Sequence, residues 1–157
     1  MNKAELGVLG RAGRRTEALA RARDLARARA DDPDVQALLG EAAAAAGEAA
    51  EAEAAWRRAL ALAPTDARAL NNLAWLLRDR PEARDEAIRL ARRAVEAAPG
   101  NGSAWDTLAE LLYRAGDIDG ALSANERAAS RDPGHRALYE TRRRKYELSR
   151  ARGTGDL

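Results

Sequence analysis

Small and large apolar residues recur along this chain at fixed intervals. Leu39-Gly40 is followed by Gly47, Ala52, Trp56, Ala59 and Pro64, and Leu108-Ala109 by Gly116, Ala121, Asn125, Ala128 and Pro133 at the same steps. Leu73-Ala74 leads through Pro81, Ala87, Ala91 and Ala94 to Pro99, with one extra residue in its turn, and a fainter first copy runs Leu6, Gly13, Ala18, Ala22, Leu25. Gly13 to Gly47, Ala18 to Ala52 and Pro99 to Pro133 are each 34 residues apart. A period of that size marks a stack of supersecondary units, none of which can bury its apolar face alone. Small residues such as Gly40, Ala52, Ala74 and Ala121 let two helices approach closely, while Leu39, Trp56, Leu73, Leu77, Trp105 and Leu108 fill the space between layers. Gly47 and Gly116 stand where a helix must stop and reverse, and Pro64, Pro99 and Pro133 cannot continue a helix. These signals predict helices over 3–12, 15–30, 34–46, 48–62, 67–78, 83–97, 102–115 and 118–131, then a final helix over 135–150.

Two departures from the period carry information. Pro33 falls three residues later than the first copy predicts, so the second helix is expected to run about one turn longer, with Asp31 or Asp32 capping the third helix and Pro33 in its first turn. Pro81 replaces the turn glycine of the third copy and stiffens a longer loop. The last helix, with Leu138, Tyr139, Tyr146 and Leu148 among many charges, reads as a cap over the final apolar face.

The whole pattern, best seen from Ala104-Trp105-Asp106-Thr107-Leu108-Ala109 through Pro133, resembles the tetratricopeptide repeat (TPR) family over roughly residues 3–135. The resemblance implies an all-α, right-handed solenoid of about four helix-turn-helix repeats, over 3–32, 33–66, 67–101 and 102–135. It implies one array over 1–150, with the capping helix at 135–150 and a disordered tail at 151–157. Each repeat pairs a helix A with a helix B, and TPR proteins typically hold a peptide or partner helix on the concave surface that their A helices line. Projected here, that surface takes Arg68, Asn71, Asn72 and Trp75 from helix 3A and Asp106, Glu110, Tyr113 and Arg114 from helix 4A. Asn71 and Asn72 interrupt an otherwise apolar helix, and an amide can bond the backbone of an extended peptide through both donor and acceptor. Trp75 reads either as a groove wall, partly exposed, or as packing between neighbouring A helices, whereas Trp56 and Trp105 match core positions. Chaperone-binding TPR proteins grip a terminal carboxylate with Lys and Asn residues at set places. Of the corresponding Ala37, Glu41, Asn72, Ser103 and Thr107, only Asn72 fits, so that activity is not expected.

Composition narrows the chemistry further. The chain has 40 Ala and 25 Arg against two Lys, a helix-former's usage that also suggests a GC-rich bacterial genome. Formal net charge is only +2, so electrostatics alone names no polyanionic partner. Zero Cys and a single His exclude a His/Cys metal site, and a His-based triad would need His135, which lies in the turn after Pro133-Gly134. His135 is therefore expected to be an exposed helix-start residue. Gly10 to Arg15 lacks the strand and spacing of a phosphate loop, and Glu48, Glu51 and Glu53 read as a solvated helix start. No apolar run approaches the length of about 18 residues needed to span a membrane. The first 15 residues lack the apolar stretch of a signal peptide, which favours the cytoplasm and leaves the periplasm open if a leader or anchor precedes them.

The expectation is a non-enzymatic protein-interaction module without metal, cofactor or nucleic acid, holding a partner's peptide or helix in its groove. Its rivals are a scaffold that self-associates through its ends or convex face and a regulatory domain of a larger enzyme or complex. The basic run Arg142-Arg143-Arg144-Lys145 reads as the solvated side of the cap, with docking to an anionic partner, a membrane surface or RNA as the alternatives.

Overall fold

The computed structural model describes residues 14–153, so the expected helix over 3–12 and the end of the chain lie outside the described residues. The described chain is helical throughout: α1 (Arg15–Ala28), α2 (Pro33–Ala46), α3 (Ala49–Leu62), α4 (Ala67–Leu77), α5 (Arg84–Ala97), α6 (Gly102–Arg114), α7 (Ile118–Arg131) and α8 (Arg136–Gly153). Short 3-10 turns at Pro81–Ala83 and Pro133–His135 precede α5 and α8. The chain packs as two compact units, Met1–Leu76 and Leu77–Leu157.

In the first unit α1 packs on α2 and α2 on α3. The helix starts follow local chemistry. The Asp32 carboxylate accepts the amides of Asp34 and Val35 with Pro33 in the first turn, and the Asp66 carboxylate accepts those of Arg68 and Ala69 at the start of α4. The second predicted helix is not longer than its counterparts: α1, α3, α5 and α7 each have 14 residues. The residues that displace Pro33 go into the turn after Ala28, because Asp32 caps α2 there instead of leaving α1 to continue.

Close approach is set by Gly40, whose missing side chain admits the ring of Trp56, itself 3 % exposed. Around that contact Ala37, Ala43, Ala52 and Ala59 are fully buried. Gly47 closes α2 at φ 86°, a left-handed conformation that an L side chain adopts only at a cost, and its amide returns to the carbonyls of Ala43 and Ala44. An ion pair between Arg68 of α4 and Glu41 of α2, 3.0 Å long, ties the two A helices of this unit.

The second unit repeats the scheme with different residues. Its core is Leu90, Ala91, Ala94, Val95, Leu108, Ala109, Leu111, Ala121 and Ala128, and Asn101 and Asp117 cap α6 and α7. Gly116 supplies the same left-handed turn, at φ 85°. Pro81 makes its reversal without positive φ, through the 3-10 turn. Trp105, expected in the core, is only half-buried: its indole nitrogen donates to the Pro99 carbonyl at 3.0 Å, and the Arg127 guanidinium lies 4.8 Å from the ring centre. The inter-repeat turn needs that nitrogen for its carbonyl, so the ring lies at the turn surface.

The last helix continues the array. Pro133-Gly134 repeats Pro99-Gly100, and α8 buries Tyr139 and Tyr146, which are 3 % and 0 % exposed. The Asn125 amide, buried in α7, donates to the Tyr139 carbonyl at 3.0 Å and pins the helix to its neighbour. Helix α8 runs through Gly153, three residues past its expected end.

Candidate functional site

The eight residues projected onto a common surface divide between the two units, and each set has its own surroundings. On α4, Arg68, Asn71 and Asn72 are half-buried and Trp75 is 38 % exposed. That exposure shows that Trp75 is not fully packed between helices. Arg68 is held by Glu41, and the Asn71 side-chain oxygen is buried without a hydrogen-bond partner among the described residues. A buried amide oxygen without a donor forfeits about 1–3 kcal/mol, so this face carries an unmet acceptor beside an exposed indole. Arg68, Asn72 and Trp75 follow one another at steps of four and three, which sets them along one stripe of the helix.

The α6 set is placed differently. Asp106 accepts from Arg142 of α8 at 2.5 Å, and Glu110, 9 % exposed, receives the Tyr146 hydroxyl at 3.5 Å with the Lys145 ammonium 3.8 Å away. Tyr113 stacks on Tyr146 with ring centres 4.6 Å apart, shares a 2.9 Å hydrogen bond with Ser149 and lies under Lys145. Asp106, Glu110 and Tyr113 therefore stand in a seam covered by α8, where the sequence projection left them facing an open groove. The reason is topological: α8 lies against α6 as the A helix of a further repeat would. Arg114 is engaged elsewhere, by Glu110 at 2.7 Å and by Asp79 at 2.6 Å.

Arg142, Tyr146 and Ser149 are the partners that the sequence reading missed. Each lies 36 residues beyond its counterpart, Asp106, Glu110 and Tyr113 respectively, and that near-repeat offset was the available signal. Burial pushes the Asp106 carboxyl above its ordinary value, with Arg142 opposing the rise and Glu110 and Asp132 adding to it. Burial also raises the hydroxyls of Tyr146 and Tyr139, the latter to about 12 with help from the Asp132 carboxylate it donates to.

The seam makes a pH prediction. An aspartate whose value is raised on folding weakens the fold above that value and relieves it as pH falls through it, and Arg142 is what makes the charged form tolerable. Replacing Arg142 with Ala is expected to cost about 1.5 kcal/mol near neutral pH, the scale of a hydrogen bond to a charged group. The deficit should narrow as pH is lowered through the carboxylate range, because protonated Asp106 no longer needs the cation. Urea unfolding of both proteins near pH 7 and near pH 4.5 checks this, and a deficit unchanged between the two would show that the pair contributes no charge coupling.

His135 is exposed, in the turn before α8, with Nδ1 2.8 Å from the Asp132 carboxylate. That contact, with the Tyr139 hydroxyl, holds Asp132 below the usual carboxylate range. Glu51, read from the sequence as solvated, takes both Arg23 contacts, at 2.9 and 2.7 Å, and bridges α3 to α1. Among the described residues no cluster of His, Cys, Asp or Glu is arranged to hold a metal, and no helix is long and apolar enough to cross a membrane.

Antiparallel helix pairs, small residues at the crossings, left-handed glycines at the reversals and a capped last face define a helical repeat protein. The chain belongs to the tetratricopeptide repeat family, whose models match it over residues 8–67 and 82–144. Among solved structures, MamA residues 41 to the end from Desulfovibrio magneticus RS-1 is similar at 21 % identity and TM-score 0.71, covering 99 % of this chain and 93 % of that one. TTC0263, a thermophilic TPR protein of Thermus thermophilus, is similar at 20 % identity and TM-score 0.76, covering 94 % and 82 %. The TPR2B domain of yeast Sti1, solved as a complex with pHsp70, is similar at 20 % identity and TM-score 0.68, covering 74 % and 97 %. No curated protein matches by sequence. The chain is an all-α TPR solenoid protein of the protein-interaction class.

Proposed function

We propose that this protein binds an extended peptide of a partner protein and that the α4 stripe of Arg68, Asn72 and Trp75, with Asn71 beside it, makes the contact. The observation that carries the reading is Trp75, an indole 38 % exposed on the same stripe as the half-buried amide of Asn72. An exposed Trp supplies contact area at low entropic cost, and an amide beside it can both donate to and accept from a peptide backbone. Asp106, Glu110 and Tyr113 would reach a ligand only with α8 displaced, so the first contacts are assigned to α4. Ala37 is fully buried, and Thr107 is 4 % exposed with its hydroxyl bonded to the Ser103 carbonyl, so neither offers a terminal carboxylate a donor. An internal, extended segment suits the face better than a chain end.

Peptides selected on the wild-type protein from a displayed library should bind an Asn71→Ala/Asn72→Ala/Trp75→Ala variant at least about 30-fold more weakly, the loss of one anchoring aromatic and two amide contacts. Circular dichroism establishes that the variant is folded, and unchanged affinity would remove α4 from the binding surface.

A second reading, end-on contact between copies, is favoured by the outer side of α8, where Leu138 and Leu148 are 43 % and 60 % exposed. A single monomeric mass by light scattering at high concentration would eliminate it.

A further inference from the structure

One side of α8 is left uncovered by the packing of the second unit. Leu138, Thr141, Lys145, Leu148 and Arg152 follow one another at steps of three and four, with Arg144 beside them, and all six are exposed. Leu148 is 60 % exposed and Leu138 43 %. The stripe turns away from the buried Tyr139 and Tyr146 and runs for roughly 21 Å along the helix. Its charge has one sign. The two carboxylates of α8, Glu140 and Glu147, lie off the stripe and take Arg136 at 2.9 Å and Arg143 at 2.8 Å. Arg142 turns inward to Asp106, and Arg150 reaches Asp119 on α7. Lys145 has Glu110 3.8 Å away and the Tyr113 ring beneath it. Arg144 and Arg152 have no ion pair among the described residues, so the excess positive charge of the stripe rests on these two.

We propose that this stripe docks on an anionic lipid surface, with Leu138 and Leu148 at the boundary between headgroups and acyl chains and Arg144 and Arg152 among the lipid phosphates. An arginine beside an inserted leucine keeps its stem along the apolar layer and its guanidinium at headgroup level. Two leucines bury too little apolar area to hold a neutral bilayer, so attachment depends on anionic lipid and weakens with salt. The shape favours lipid over protein. The stripe is the outer ridge of one helix, and none of its six residues lines the hollow between α7 and α8, whereas a lipid surface conforms to a ridge. A second copy laid antiparallel on it would join the leucines only by bringing Arg144 and Lys145 within a turn of their own counterparts. No residue of the stripe belongs to α4, so the proposal stands apart from the peptide reading.

Sedimentation of the full chain with sucrose-loaded vesicles tests it. Vesicles of phosphatidylcholine containing about 30 % phosphatidylglycerol should bind the protein at least about tenfold more tightly than phosphatidylcholine alone, and salt at about 0.5 M should abolish the difference. An Arg144→Gln/Arg152→Gln variant and a Leu138→Ser/Leu148→Ser variant should each bind the anionic vesicles at least about tenfold more weakly. All four residues are exposed, and circular dichroism shows whether the variants fold. Equal binding to both vesicle types, binding unchanged in either variant, or no binding at all would overturn the proposal. So would pelleting without vesicles that the Leu138→Ser/Leu148→Ser variant loses, which makes a second copy the occupant. Saturable binding of a Glu- and Leu-rich amphipathic peptide to the stripe without vesicle binding would likewise overturn it in favour of an acidic protein.

Discussion

Replacing Tyr146 with Ala is expected to remove about 4 kcal/mol from the stability of the second unit, the largest loss from any single change considered for this protein. Tyr146 is fully buried, and its ring stacks on Tyr113 at 4.6 Å. Truncation removes that contact and opens a cavity between α8 and α6 that neither helix can close without giving up Arg142–Asp106 and Tyr113–Ser149. Tyr146→Phe keeps the ring and loses the hydroxyl's long 3.5 Å contact to Glu110 and its interaction with Arg142, so its cost should be about 1 kcal/mol. Urea unfolding followed by fluorescence and amide exchange of α6 and α7 measures both variants. A Tyr146→Ala protein as stable as the wild type would mean that α8 is not held on the array.

Replacing Gly40 with Ala is expected to destabilise the first unit by about 2 kcal/mol, against the sign that helix propensity alone would give. Ala in place of Gly inside a helix ordinarily gains about 1 kcal/mol. Here the new methyl group would stand 2.5 to 2.7 Å from three ring atoms of Trp56, which is buried among Ala52, Ala55 and Ala59 and has nowhere to retreat. Shrinking the ring should restore part of the loss, so that Gly40→Ala costs less in a Trp56→Leu background than in the wild type. Equal costs in both backgrounds would show that the helix crossing is not set by this glycine–tryptophan contact.

The helix order was legible because repetition made weak local signals agree. Gly40, Gly47 and Pro64 recur in function at Ala109, Gly116 and Pro133, and the structure places turns at Gly47, Pro64, Gly116 and Pro133 and buried small residues inside helices at Gly40 and Ala109. What misled was a change in how one turn is built. Pro33 displaced by three residues suggested a longer helix, when Asp32 could cap the next helix and leave the difference in the loop. The capping part of α8 could be read from spacing, whereas the spacing of Trp75 left exposure and packing both open. The consequence of that cap for Asp106, Glu110 and Tyr113 could not, since a surface projected from one helix omits whatever packs over it.

The central claim is that a partner's peptide meets this TPR protein on α4 while α8 keeps the α6 residues covered. Amide and indole resonances followed during titration with a library-selected peptide test it most directly. Arg68, Asn71, Asn72 and the Trp75 indole should shift together and saturate, with Asp106, Glu110, Tyr113 and residues 136–153 unmoved. Shifts concentrated on Asp106 and Tyr113, accompanied by loss of amide protection along α8, would contradict the account and make the capping helix the element that the ligand displaces.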